Sequence, residues 1–450
     1  MNKRVKHFVA IMIAAAGVLS TSSIAKAEDV TGGGASFPVS FLTPAIAEFN
    51  KTFSHNLSYT STGSGTGKKN FKASTFKFAG TDSAVGSADL PSFGWTYVPY
   101  LAGAIAIGYR LDELKGATLS LSPATINGIF GGVISKWNDP SIANDIKMNP
   151  TWGNSKKKSD VKGATALWEN VSTTSAKITV SMLPAALKAS KGQKIEWIDD
   201  TTKKVLKTLT VGTKAEVNMT GTVKSKDKYS IKVGGKTIAT YSQIEVKLPD
   251  TAIQVVYRAD TSGTTNNFCQ YMAGASNPDW KINDAFQSCV PGGVTAYGSR
   301  FVGQPQSNNQ ANYIASTNGA IGYGEVSYYT DPTRAAQGVR AANILNAAGK
   351  FVAPTSAGYN SHLAGSTQDA TGLITFNWKQ TANPTAYPLG ATTYGLCQTA
   401  NDAKNKVIAQ FFQWVISDYA PKNAEALAYT PLLGATATNS LALAKKCGAS

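Results

Sequence analysis

Short apolar runs alternate with helix-spaced patterns along most of this 450-residue chain, and that alternation limits its fold more than any other feature. Residues 104–111 (AIAIGYRL) and 252–258 (AIQVVYR) read as buried strands. Residues 123–132 (PATINGIFGG) and 405–419 (NKVIAQFFQWVISDY) carry apolar side chains at helical spacing. Strands apolar at nearly every position need cover on both faces, which helices supply in α/β folds. The expectation is therefore α/β domains with largely parallel sheets.

Residues 151–250 interrupt this pattern. They hold 18 lysines, no arginine and nine acids, a surplus of +9 out of +16 for the whole chain. Their runs are of β type: KITVSML, QKIEWIDDTTKKVLKTLTV, KAEVNM and DKYSIKVGGKTIATYSQIEVKL, with turn signals between. Gly234-Gly235 between two strand patterns predicts a hairpin, and MLPAALKAS a short helix. The block reads as a small β-module inserted into an α/β domain. A solvated basic face is the plain reading of its charge, and a contact surface for polyanions the sharper one; specific nucleic-acid binding is not expected.

The chain opens with a basic stretch (Lys3, Arg4, Lys6), an apolar core (FVAIMIAAAGVL) and a small-x-small site at Ala25-Lys26-Ala27. That is the pattern of a cleaved leader, so a periplasmic or secreted chain starting near Glu28 is expected. The best later candidate for a membrane span, residues 98–109 (VPYLAGAIAIGY), is too short to span a bilayer and reads as a buried strand. Four cysteines in an exported chain suggest two disulfides. Of three pairings the local ones are favoured, Cys269–Cys289 and Cys397–Cys447. No Cys or His spacing suggests a metal, and past the leader only His55 and His362 remain. Neither a cofactor nor a catalytic residue is expected.

Four segments combine glycine with hydroxyls: residues 32–38 (GGGASFP), 60–71 (TSTGSGTGKKNF), 78–90 (FAGTDSAVGSADL) and 255–268 (VVYRADTSGTTNNF). Glycine lets a backbone approach an anion closely, and a helix start offers free N–H groups at a positive dipole end. Serine and threonine add donors without bulk. Two such loops, with a third that carries an arginine, point to a small oxyanion as ligand.

In this order the segments resemble the periplasmic phosphate-binding proteins of the high-affinity phosphate ABC importer, a family that includes the DING branch. GGGASFP looks like the family's Gly-Ala-Thr-Phe-Pro opening, and GSGTGKKNF is similar to its Gly-Ser-Gly/Ser-x-Gly loop. FAGTDSAV resembles its Gly-Ser-Asp motif, and YRADTSGTTNNF its Arg-x-Asp/Glu-x-Ser-Gly-Thr motif. INGIFGGVISKWNDPSI, GAIGYGE and YPLGATTYGLC follow in family order, and only residues 151–250 have no counterpart. EDVTGGG lacks the DING tetrapeptide, so the resemblance is to the broad family and no branch is assigned.

The resemblance implies a type II periplasmic binding protein fold, two α/β lobes joined by crossover strands and hinged about a cleft, here with a small inserted β-rich module. Lobe 1 would hold residues 28–107 and 381–450, and lobe 2 residues 108–150 and 251–380. Residues 1–27 would be the leader and 151–250 the lysine-rich insert. The ligand implied is inorganic phosphate, and the partner a membrane permease of an ABC importer. Ser36, Ser64, Ser262 and Thr264 would donate hydroxyls, with amides from Ser36, Phe37 and Gly263. Arg258 would supply a charged fork held by Asp260, and Asp82 would accept a hydrogen bond from a proton on the ligand. Charge-assisted bonds contribute roughly 1.5–3 kcal/mol each, so a handful gives micromolar binding or tighter. Two other readings stand beside this one. A secreted phosphatase is one, against which there is no GxSxG elbow, no metal cluster and no histidine near the loops. An extracellular adhesion or scaffold protein that kept the fold is the other.

Overall fold

The computed structural model describes residues 28–449 except 115–116, 156–157, 173 and 225, so the leader expected at 1–27 lies outside the described residues. Among the described residues no helix is long and apolar enough to cross a membrane. Nine strands form the main sheet: β1 (Asp29–Gly34), β2 (Asn56–Ser61), β3 (Phe78–Thr81), β4 (Trp95–Arg110), β5 (Gln254–Arg258), β6 (Phe301–Gln304), β7 (Ala320–Glu325), β8 (Val339–Ala341) and β9 (Gly390–Gln398). Their order is β6-β5-β7-β4-β9-β3-β1-β2, with β8 also paired to β4.

The long apolar run at 98–109 lies inside β4, where every residue from Tyr97 to Tyr109 is buried. Helices Gly434–Ala444, Ser356–Ala364 and Gln306–Ser316 pack on it, which is why no polar alternation shows in its sequence. β4 also changes partners along its length. Residues 95–104 pair with β9, and residues 105–110 with β7 and β8. The first stretch belongs to one half of the sheet, with β9, β3, β1 and β2. The second belongs to the other half, with β7, β5, β6 and β8.

The expectation of largely parallel sheets holds only away from this seam. β1 is parallel to β2 and β3, and β5 to β6 and β7. β4 and β9 are antiparallel to each of their partners, so the sheet is mixed. The physical reason is the chain path. Parallel neighbours need a helical crossover, whereas β4 carries the chain from one half directly into the other as one strand.

Residues 152–243 form the β-module. A five-stranded antiparallel sheet and a three-stranded one enclose a separate core that includes Trp152, Ile178, Val180, Trp197, Tyr229 and Tyr241. Burial alternates residue by residue along Ser175–Met182, the period of a strand with one wet face. Tyr229–Val233 and Lys236–Gln243 pair about Gly234-Gly235, whose φ values of 56° and 77° are those a tight hairpin turn requires. Helix Pro184–Ser190 occupies the MLPAALKAS segment. The chain returns through Ile244, Val246 and Leu248, which pack on the main core, and enters β5 from its amino end. Cys269 is bonded to Cys289, and Cys397 in β9 to Cys447 near the chain end.

Candidate anion-binding site

The four glycine- and hydroxyl-rich segments all leave the sheet at carboxyl ends of strands. β1 leads through Ser36 and Phe37 into α1 (Val39–Phe53), and β2 through Gly63 into α2 (Ser64–Lys72). β3 runs straight onto Asp82. β5 ends on Arg258 and leads through Asp260 and Ser262 into α3 (Gly263–Ala275). Strand carboxyl ends are where open α/β sheets take ligands, and helix N-termini there favour anions. β1, β2 and β3 lie in one half of the sheet and β5 in the other, so both halves contribute.

These ends meet at hydrogen-bond distance. Ser36 Oγ lies 2.9 Å from Ser307 Oγ and accepts from the Ser307 amide at 3.2 Å. Arg258 donates from Nη1 to Ser307 Oγ (3.2 Å), from Nε to Asp260 Oδ1 (2.7 Å) and from Nη2 to Asp260 Oδ2. The guanidinium is thereby a buried fork of fixed orientation. Thr264 Oγ1 donates to Asp82 Oδ2 (3.5 Å), and Asn267 Nδ2 holds the Asp82 carbonyl (2.6 Å). The Asp82 amide donates to Ser64 Oγ (3.3 Å), which leaves the Ser64 proton free to donate elsewhere.

Two glycines permit this convergence. A Cβ on Gly263 would stand 2.7 Å from Ser64 Oγ and 2.8 Å from the Asp82 nitrogen, so no other residue lets α3 start so close to α2. Gly63 has φ 86°, and a Cβ there would stand 2.5 Å from Asp260 Oδ2.

The two acids differ in their electrostatics. Burial pushes the Asp82 carboxyl up to about 7, against the pull of the nearby Thr393 hydroxyl and Arg258 guanidinium. Its Oδ1 is buried without a hydrogen-bond partner. Burial also acts to raise Asp260, but the Arg258 fork and the Gln306 amide hold it below the usual carboxylate range. Asp260 therefore stays ionised as a clamp, whereas Asp82 can hold or release a proton near neutral pH.

Ser36, Ser64, Asp82, Arg258, Asp260, Gly263 and Thr264 are linked by these contacts. Ser262 caps α3, its Oγ accepting from the Thr265 amide (3.2 Å). Phe37 turns its ring into the core against Tyr429, whose hydroxyl holds the Phe37 carbonyl (2.7 Å) and fixes the backbone there. Sequence reasoning missed Gln306 and Ser307, which open α4 (Gln306–Ser316) after β6 and bring a fifth strand end to the site. Gln306 Nε2 donates across to the Ser61 carbonyl (3.1 Å). The signal was present: a short apolar run followed by Gln-Pro-Gln-Ser is another strand-to-helix switch carrying a hydroxyl. Among the described residues no group of three or more His, Cys, Asp or Glu is placed to hold a metal ion.

The sequence matches the family described as the PBP superfamily domain over residues 20–233 and 232–419. It is 26% identical over 413 residues to the phosphate-binding protein PstS of Xylella fastidiosa (strain 9a5c), covering 90% of this chain and 82% of that protein. The fold is similar to a DING protein, with a TM-score of 0.57, 17% identity, and 92% and 94% of the two chains covered. It is also similar to PfluDING, a high affinity periplasmic phosphate-binding protein bound with phosphate, with a TM-score of 0.55, 17% identity and 92% and 93% covered. At that identity the two structures speak to fold alone.

Proposed function

The chain belongs to the PBP superfamily domain family, and from that premise we propose that it captures inorganic phosphate in a cleft between two lobes and delivers it to the permease of an ABC importer. The carrying observation is Asp82, a buried carboxyl with an unpartnered oxygen among hydroxyls, an arginine and two helix N-termini. A carboxylate is a poor neighbour for most anions. It suits one that brings its own proton, as phosphate does near neutral pH and sulfate does not. Burial pushes the Asp82 carboxyl up to about 7, so above that value it is ionised and can only accept, from a proton that the ligand brings. The names of the Xylella relative and of PfluDING, both phosphate-binding proteins, support the same ligand.

The lobes in this reading are residues 28–107 with 381–450, and 108–150 with 251–380. The switch of β4 partners between Ala104 and Ile105 lies close to that boundary and suits a hinge. The leader directs the protein out of the cytoplasm, and the lysine surplus of residues 151–250 suits contact with a polyanion rather than with the ligand. Ser36, Phe37, Ser64, Ser262, Gly263 and Thr264 donate to the anion, Arg258 neutralises it, Asp260 holds Arg258, and the protein carries its ligand without transforming it. Calorimetric titration with inorganic phosphate tests this. The expected result is one site per chain with micromolar or tighter affinity. Absence of binding at millimolar phosphate contradicts the assignment.

A further inference from the structure

Lys68 and Asp284 form an ion pair across the same divide, behind the N-termini of α2 and α3. Lys68 lies on α2, four residues after Ser64. Asp284 follows α3 in sequence, and its main-chain carbonyl accepts the Ser262 amide at 2.9 Å. Lys68 Nζ donates to Asp284 Oδ2 at 2.8 Å, and to Ser83 Oγ and the Ala84 carbonyl at 3.1 Å each. The ammonium thus has an acceptor for each of its protons, two from its own half of the sheet and one from the other. Asp284 also accepts from Asn266 Nδ2 on Oδ1 (2.9 Å) and from Ser83 Oγ on Oδ2 (3.1 Å). The two side chains are 5% and 16% exposed.

We propose that the Lys68–Asp284 pair is a closure latch: it forms only when the lobes meet, and it sets how long the anion is held without touching it. The proposal rests on the phosphate reading. When the lobes part, Lys68 keeps Ser83 and Ala84, Asp284 keeps Asn266, and each charge regains water. When they close, both charges leave water together. Removing one partner therefore strands the other charge in the closed state, whereas in the open state no ion pair is lost. Apparent affinity scales with the closed fraction, so the cost is read directly in ligand binding.

The test compares Lys68→Met, Asp284→Asn and the double variant with the parent, using phosphate titration and stopped-flow release of phosphate. Each single variant is expected to bind about tenfold or more weakly, with the loss in the release rate. At pH 8 the phosphate-to-sulfate preference should stay as in the parent: the Asp284 charge helps to raise the Asp82 carboxyl, so its loss only favours the ionised form that Asp82 already has there. The double variant leaves no stranded charge, so its loss should be smaller than the product of the two single losses. If Lys68→Met does not fold, Asp284→Asn carries the test, since it keeps its shape and its contact with Asn266. Parent-like release in a folded single variant overturns the latch, as does a loss seen in anion preference instead of release rate, or a double variant whose losses simply multiply. A parent that binds no phosphate overturns the functional reading and the latch with it, whereas a binding parent with unaffected variants overturns the latch alone.

Discussion

Arg258 is buried, and its guanidinium donates to Asp260 and Ser307. Arg258→Ala deletes the charge opposite the anion and leaves Asp260 facing it, so phosphate binding should weaken by about 3 kcal/mol or more. Arg258→Lys should also weaken it, since an ammonium cannot reproduce a fork bound on three sides. Titration of both variants checks this, and parent-like binding by either contradicts the cleft assignment. Asp82 makes a prediction of opposite kind, about the empty protein. Its carboxyl titrates near 3.8 when unfolded and near 7 when folded, so between those values the folded chain keeps a proton that the unfolded chain has lost. Stability therefore falls as pH rises through that window, by on the order of 4 kcal/mol at most, and the deficit is complete above it. Asp82→Asn should lose this slope in urea melts of ligand-free protein from pH 4.5 to 8. Glu325, pushed up to about 8 by burial, keeps a slope of its own in both proteins. An unchanged profile in Asp82→Asn would mean that the carboxyl is not buried as described. Arg258 and Asp260 were legible in the sequence because a cation and an acid two residues apart fit one strand end. Ser307 carried a local signal, the switch from strand to helix at Gln-Pro-Gln-Ser, but its pairing with Ser36, 271 positions away, was not legible. The shift of Asp82 was not legible either, since burial is a property of the fold and not of the local sequence.

The lysine-rich module was legible as an element because strand alternation, turn glycines and charge all changed together at its borders. Its strands and its hairpin followed from local rules alone. The antiparallel seam was not legible, because an apolar run such as β4 reads the same in either strand direction. The module joins at the amino end of β5, and Arg258 sits at the carboxyl end. Five residues at about 3.3 Å each separate them by on the order of 15–20 Å. Replacing residues 151–250 by a short linker should therefore leave phosphate affinity nearly intact. Loss of binding by a folded deletion variant would show that the module helps to form the site. Trp197 is fully buried in the module core, so Trp197→Ala should destabilise that element by about 3–5 kcal/mol. Thermal unfolding should then show the module melting earlier while phosphate titration is unchanged. A coupled loss of affinity would contradict the independence of the two cores.

At the scale of the molecule, one sheet split by a partner switch within a single strand gives two halves that can rotate without breaking either half's own pairing. In the proposed reading, closure would bring α2 and α3 together on the ligand, and the contacts between Ser36 and Ser307, Gln306 and Ser61, and Lys68 and Asp284 would belong to the closed arrangement. Phosphate should therefore reduce the radius of gyration in small-angle scattering, and unchanged scattering at saturation would argue against a hinge. The overall architecture was legible because the four segments resembled a family in sequence order, whereas the seam between the two halves of the sheet required the strand pairing itself. The central claim is that the cleft selects an anion by the proton it carries, and titration of the parent with phosphate and with sulfate at pH 8 and at pH 5.5 tests it most directly. At pH 8 Asp82 is ionised and can only accept, so phosphate should bind at least about a hundredfold more tightly than sulfate. At pH 5.5 Asp82 carries a proton it can donate, so sulfate should gain and the ratio should shrink. Equal affinities at pH 8, or a ratio that does not move with pH, would contradict the account.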